Sequence, residues 1–453
     1  MKAIEIRIEP FEFMGVLEFT STKGLNEHGR ITASGRIQAD KVSEYEQLAM
    51  NETWISVKVS NENEETFFCG VLTKLSIKTQ AQVHTMTIEA MTGSFLLDRI
   101  PHTLSFQDEA LTYKSMLETS LKSENGEVMM QDKTGEKAGG LVMQYQETSW
   151  QFAMRIARRL HMPLLPAFNV FGKKFYMGIK ENKAGDELKS DSYTTVKSND
   201  NNDIMLTEAG IVKAVSRDIY QLGKNVMWQN RELMVCKVES YLEGSELVSL
   251  YYLSKLRTSF SDLGSKNQQI SGISLKATVT GVKKDKVQVN IHDDENKACG
   301  VRWFSYATVY STPDGTGWYC MPEIGDTVRL IFPDADETKA YVASSVHLEA
   351  KGGRVNPEQK SFKNKQGKEV LLTTDKLIFS NNAGLSVELS DRNGIAIKSN
   401  KNITIDATGN LTINSKSGNI GINAADDLSI IQGAAKILMN DGIDFTGGKI
   451  NMN

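Results

Sequence analysis

The plainest pattern in the chain lies between Leu377 and Asn453. Apolar residues come there in pairs with one position between them: Leu377/Phe379, Val387/Leu389, Ile395/Ile397, Ile403/Ile405, Leu411/Ile413, Ile420/Ile422, Leu428/Ile430, Ile437/Met439, Ile443/Phe445 and Ile450/Met452. The pairs recur every eight or nine residues through the middle and every six or seven at the end, separated mostly by Asn, Asp, Ser, Thr, Lys and Gly. Strand side chains alternate between faces, so each pair predicts a short strand with two side chains on one face. Gly394, Gly409, Gly418, Gly433 and Gly442, with their Asn neighbours, suit corners with a left-handed backbone. Two apolar residues per strand do not make a core, so such repeats must stack on neighbours, within a chain or between chains. No Pro follows Pro357 to interrupt a ladder. The pattern predicts a β-helical rod, about 50 Å long if ten strands stack at ~4.8 Å each. A disordered polar tail would have no reason to keep this register.

Upstream the periods change. Ile4-Glu5-Ile6-Arg7-Ile8, Trp54 to Val59 and Thr85 to Ala90 alternate, and Phe67 to Leu72 is a continuous apolar run suited to a buried strand. Residues 1–100 therefore read as a first β module, with helical spacing only around Val42 to Leu48. Between 101 and 260 two helices are expected before a second β module. One has Tyr113, Met116, Leu117 and Leu121 on one face behind a Thr112 cap, and the other runs Ser149 to Leu160 behind Thr148. On the second helix Phe152, Ile156 and Leu160 form the stripe, and Arg155, Arg158 and Arg159 are expected to face solvent. The segment Val212 to Tyr220 fits either strand or helix. Residues 270–347 hold five short strands with glycine turns, the rhythm of an OB barrel. A basic connector, 348–376, leads to the rod at 377–453. The expected fold is thus mainly β: hub β-barrel domains with a few helices, an OB-fold barrel and a C-terminal octad-repeat β-helix.

Composition narrows the function. The chain has 453 residues, enough for several domains, and a net charge of -4 that argues against nucleic-acid binding by bulk charge. Trp303, Trp318 and Tyr319 in the barrel are not interleaved with basic residues, which fits core or interface positions better than base stacking. Cys69, Cys236, Cys299 and Cys320 lack metal or disulfide spacing and suggest reduced thiols made in the cytoplasm. The start MKAIEIRIEP has no apolar signal core, so no signal peptide is expected, and no apolar run is long enough for a spanning helix.

The residues Phe106-Gln107-Asp108, Gln144-Tyr145-Gln146-Glu147-Thr148 and Phe152, Arg155 and Ala157 follow the order "FQD…QY.ET…F..R.A". In the barrel, Val287-Gln288-Val289, Val301-Arg302, Met321 to Val328 ("PEIGD.V") and Tyr341 to Val346 follow a second set of motifs. Together these resemble the VgrG and phage baseplate hub-and-spike family of contractile injection systems, over nearly the whole chain. Gly300 departs from the pattern, standing where the family often has Trp. The resemblance implies a homotrimer, with two β modules per chain forming a pseudo-six-fold ring against a hexameric inner tube. OB barrels would form the neck, and three octad tails would wind into one triangular needle. It further implies baseplate partners and transient contact with a target envelope. The chain would leave the cell as part of a particle. With no lysozyme insert and no extension past Asn453, it would sit among the spikes that carry no enzyme.

No phosphate loop, dinucleotide fingerprint, HExxH or GxSxG is present, and the six histidines stand apart. No catalytic, cofactor or metal site is expected. His292-Asp293-Asp294-Glu295 has some metal-ligating character but reads better as a solvated hairpin turn. The end of the rod has no polar cap, so Gly447, Gly448, Ile450, Met452 and Asn453 are expected to meet a separate PAAR-like tip protein, with an effector possible there. An alternative is a trimeric tail-fibre-like protein that binds or cleaves glycans; the absence of Trp and Tyr from the rod counts against it. A hexapeptide-repeat acyltransferase has the wrong period and would need a catalytic His.

Overall fold

The computed structural model describes residues 5–60, 64–180, 187–190, 192–196, 210–255, 265–297, 300–345, 356–439 and 441–449. The chain divides into two compact units, Met1–Leu348 and Glu349–Asn453.

In the first unit one large sheet runs through both expected β modules. Its strands are β1 (Glu5–Glu9), β2 (Gly15–Gly24), β3 (Arg30–Ile37), β4 (Trp54–Ser60), β5 (Glu64–Gln80) and β6 (Val83–Met91). To these it adds Ser192–Val196, Ile211–Ser216, Asn225–Trp228, Arg231–Glu243 and Glu246–Ser254. β2 joins the two halves by pairing antiparallel with Arg231–Glu243. The ambiguous segment after Ile211 is a strand, paired on both sides. Alternation explains the burial: Ile31, Ala33 and Ile37 point into one core with Val57, Phe68, Met86 and Ile88, while their neighbours face out.

Among the described residues three α-helices join this frame: α1 (Val42–Ala49), α2 (Tyr113–Lys122) and α3 (Ser149–Leu160). The caps fall where side-chain chemistry expects them. Thr112 accepts from the Ser115 amide, and Thr148 with Gln151 forms a reciprocal capping box. Phe152, Ile156 and Leu160 of α3 pack with Met116, Leu117 and Leu121 of α2 in one core.

A five-stranded barrel-like sheet follows, in the order Phe304–Ser305, Lys286–Ile291, Ser274–Lys283, Thr327–Ile331, Tyr341–Ala343. Val301 and Arg302 of the second motif set lie just before the strand Phe304–Ser305 and outside it. Gly300 sits at φ 90, a left-handed backbone that favours glycine, and a Cβ there would have to displace the Asn290 side chain, whose Oδ1 would lie 2.0 Å away. The barrel core is not its own alone: Leu141 and Met143, from the strand leading to α3, are buried in it with Val279, Val289 and Phe332.

The second unit differs from the closed rod expected. Lys360–Lys363, Glu369–Leu372, Lys376–Ser380, Ser386–Ser390 and Gly394–Lys398 form one antiparallel meander, and Leu428–Gln432, Ala435–Met439 and Ile443–Thr446 a second. Residues 399–427 carry no strand. The isolated chain closes no β-helix here. One layer of short strands has no second layer to cover its apolar face, and three of the octads have nothing to pair with.

Candidate functional site: assembly surfaces and the hub–barrel junction

The register of the meanders places the octad pairs in two continuous rows. In the first, Phe362, Val370, Phe379, Val387 and Ile397 stand opposite one another in sequence, beside Leu372, Leu377, Leu389 and Ile395. In the second, Ile430, Ile437 and Phe445 stand beside Leu428, Met439 and Ile443. Directly opposed residues share a face, so each meander carries an apolar strip two side chains wide. The strips are open: Ile395 is 72% exposed, Ile397 61% and Phe445 58%. The unpaired octads are the same, with Ile405 66% and Ile413 69% exposed. Covering one such isoleucine yields about 1–2 kcal/mol, so each chain leaves a large favourable term unrealised. Exposed apolar patches of this extent mark interaction surfaces.

The sequence-chosen tip residues are only partly placed. Gly447 and Gly448 follow the last strand; a Cβ on Gly447 would touch Ala435 at 3.7 Å, and one on Gly448 would meet nothing within 4 Å. Ile450, Met452 and Asn453 lie outside the described residues.

The barrel joins the hub through charged groups that sequence reasoning had placed in solvent. Arg155 is 3% exposed. Its Nε and Nη2 donate to Glu147 at 2.8 and 2.7 Å, Nη1 donates to Glu337 at 2.8 Å, and Nη2 also reaches the Met143 carbonyl. Arg159 Nη2 donates to the other Glu337 oxygen at 2.7 Å, and its Nε to the Ser265 carbonyl. Burial alone would lower the Arg155 pKa, but the Glu147 and Glu337 carboxylates reverse this and hold it above its ordinary value. This corrects the outward placement of Arg155: α3 turns that face toward the barrel. Glu337 opens a 3-10 turn before the barrel's last strand.

In the turn expected to be solvated, His292, Asp293 and Glu295 are exposed but Asp294 is not. Asp294, 3% exposed, accepts from the Ser105 amide and hydroxyl and from the Asn296 amide, while Asn296 Nδ2 donates to the Ser105 carbonyl at 2.7 Å. Glu295 accepts from the Thr103 amide at 3.0 Å and lies 2.8 Å from His102 Nδ1. Gln107 donates to the Val289 carbonyl at 3.2 Å, and Arg302 pairs with Glu109. The turn is a latch onto the hub strand Pro101–Phe106. Gln107, Glu147, Thr148 and Arg155, which carry the first motif set, are therefore junction and cap residues.

Cys69 and Cys236 are buried and Cys320 exposed, none of the three in a disulfide; Cys299 lies outside the described residues. Trp303, Trp318 and Tyr319 are exposed at 37%, 63% and 77%, which removes them from the core and leaves the interface reading. Among the described residues no cluster of three or more His, Cys, Asp or Glu could hold a metal ion, and no helix is long and apolar enough to cross a membrane.

Comparison with known proteins agrees with this geometry. Residues 276–347 match the type VI secretion system/phage-baseplate injector OB domain. The fold is similar to an E. coli component of the type VI secretion system, described as similar to the T4 bacteriophage tail proteins gp27 and gp5. That likeness has 13% identity and a TM-score of 0.53, over 76% of this chain and all of that one. It is also similar to the structure of the Francisella PdpA-VgrG complex, half-lidded, at 8% identity and TM-score 0.57 over 87% of each chain. No curated protein sequence matches.

Proposed function

We propose that this chain is the structural hub and spike of a contractile injection machine and works as a homotrimer. The observation that carries the reading is the pair of open apolar strips in a chain whose barrel is the injector OB domain. Three copies bring three strips together, and each octad then gains the partners it lacks alone. Stacked in this way the tails form a triple-stranded β-helix with its edges paired along the shaft. Such ladders resist unfolding, which suits a part driven through a target envelope.

In this reading the hub ring caps a hexameric inner tube and meets baseplate proteins. The barrel, locked to α3 through Arg155 and Glu337, passes axial load into the tail. The role is mechanical and not enzymatic. A PAAR-like protein, with or without an effector, closes the end near Gly447 and Gly448. The chain is made in the cytoplasm and delivered outside when the particle fires.

Sedimentation equilibrium of the full chain tests the central claim: the expected mass is three chains, stable to dilution. A compact single chain at nanomolar concentration refutes it. Steady turnover on cell-wall glycans would favour a glycan-cleaving fibre. Loss of a co-purifying tip protein on deleting Gly447 to Asn453 tests the end of the rod, and unchanged co-purification rejects that contact.

A further inference from the structure

A cavity of about 330 Å³ lies within the first unit, between the large sheet and the segment around Pro166 and Phe168. That is the size of a small-molecule site. A polar row of the sheet reaches it through Ser240 and Ser249. Ser21 of β2 stands opposite Ser240, Ser240 opposite Ser249, and Ser249 opposite Ser216, across four neighbouring strands. All four are 3% exposed. Ser240 and Ser249 line the cavity and share a hydrogen bond of 2.7 Å; the Ser21 hydroxyl is buried with no partner. Buried hydroxyls without partners are uncommon and call for an explanation.

Two residues along β2, on the same face, Lys23 also lines the cavity. Its Nζ donates to the Phe67 carbonyl at 2.7 Å and lies 3.4 Å from the centre of the Phe67 ring. An ammonium has three donors, so this carbonyl satisfies one. Among the described residues no carboxylate lies within ion-pair distance of it. The residue as a whole is half-buried, but its ammonium end is enclosed, and burial lowers its pKa from 10.5 to about 7. The remaining walls include Leu165, Leu222 and Val238. The other titratable groups on the lining are Glu65, Tyr176, Tyr220 and Tyr251. Tyr251 is committed to the Asp218 carbonyl, and Tyr220 to the Glu187 carbonyl.

We propose that this cavity is a binding site for a small organic monocarboxylate, its charge held by the Lys23 ammonium and the Ser240 and Ser249 hydroxyls and its apolar body resting on Leu165, Leu222 and Val238. Among the described lining residues Lys23 is the one cation, and Glu65, the one carboxylate, is exposed, so the ammonium and the two serine hydroxyls suit a single negative charge. A phosphate would want further cations, and no arginine lines the site. The apolar walls give the remainder of the ligand a place that inorganic anions do not use. This reading is independent of the spike assignment, because the site lies within the hub sheet of one chain.

Calorimetric titration of the full chain with benzoate and octanoate, against benzamide and octanamide, tests it. At pH 7 at least one carboxylate should saturate at one per chain, its amide binding at least tenfold more weakly. Lys23→Met should weaken the carboxylate at least tenfold. Because only the ammonium form is competent, raising the pH from 7 to 8.5 should weaken wild-type binding about fifteenfold. Equal binding of acid and amide, equal binding by Lys23→Met, or no saturable binding by either acid at millimolar concentration overturns the proposal. The amide comparison and the pH series use the unmodified chain, so they decide the matter even if the variant does not fold.

Discussion

Arg155 offers the sharpest test of how the barrel is held. Changing it to Ala removes the only cation within ion-pair distance of Glu147 among the described residues, and one of two for Glu337. Glu337 keeps Arg159 at 2.7 Å, so most of the damage falls on Glu147, which is 8% exposed. Breaking a buried pair by removing one partner costs about 3–5 kcal/mol, because a charge is left without compensation. We expect about 4 kcal/mol here. That figure describes local opening of the junction, and a protein with several cores need not unfold in one step. Hydrogen exchange is therefore the right assay. Amides of the strands Val142–Thr148 and Tyr341–Ala343 should exchange faster by a factor approaching 1,000, since each 1.4 kcal/mol is tenfold. Strands β3 to β6 should be unaffected. Replacing Arg155 and Glu147 together by Met should recover much of the loss, as no orphaned carboxylate remains at that position. An acceleration below tenfold for Arg155→Ala would mean the cluster is worth no more than a surface ion pair, and the locked junction would be refuted.

Three other outcomes follow from the same geometry. Asp294→Ala removes three accepted hydrogen bonds and should loosen the latch by about 2–3 kcal/mol, read as faster exchange of the Pro101–Phe106 amides with α1 unchanged. Ile405→Asp puts a charge into a strip position that is 66% exposed in one chain; in the proposed trimer it is buried three times, so sedimentation should show dissociation while hub folding persists, and an intact trimer would count against the packed tail. Lys23→Met should stabilise the hub below pH 7. With a folded pKa near 7 and an ordinary value of 10.5, the unfolded chain binds more protons between those limits, so wild-type stability rises with pH there. The advantage of the variant should shrink toward pH 10, and a gain independent of pH would contradict the cause given.

Much of the fold was legible because its signals are local. Alternation at Trp54 to Val59, the caps Thr112 and Thr148, and the five short barrel strands each depend on residues a few positions apart. Spacing also marked the octad pairs, and the register shows that the six pairs lying in strands each share a face. What spacing does not contain is the identity of whatever lies across that face. Arg155 stands at the edge of the Phe152 stripe, three residues on from Phe152 and with its guanidinium 5.3 Å from that ring, and its charge alone suggested solvent. It is buried because Glu337, far along the chain, is brought there by the barrel. Asp294 looked like any turn carboxylate until the fold set Ser105 against it, and Lys23 like a strand lysine until Phe67 and the Pro166 segment enclosed it. The sequence by itself determined most strands, the helices and the apolar pairs, since those follow from backbone geometry and hydrophobic period; the octads between 399 and 427 form no strand in one chain because nothing lies beside them to pair with. Only the tertiary structure decided which charges are buried, because a charge enters a core only where a distant partner arrives to compensate it.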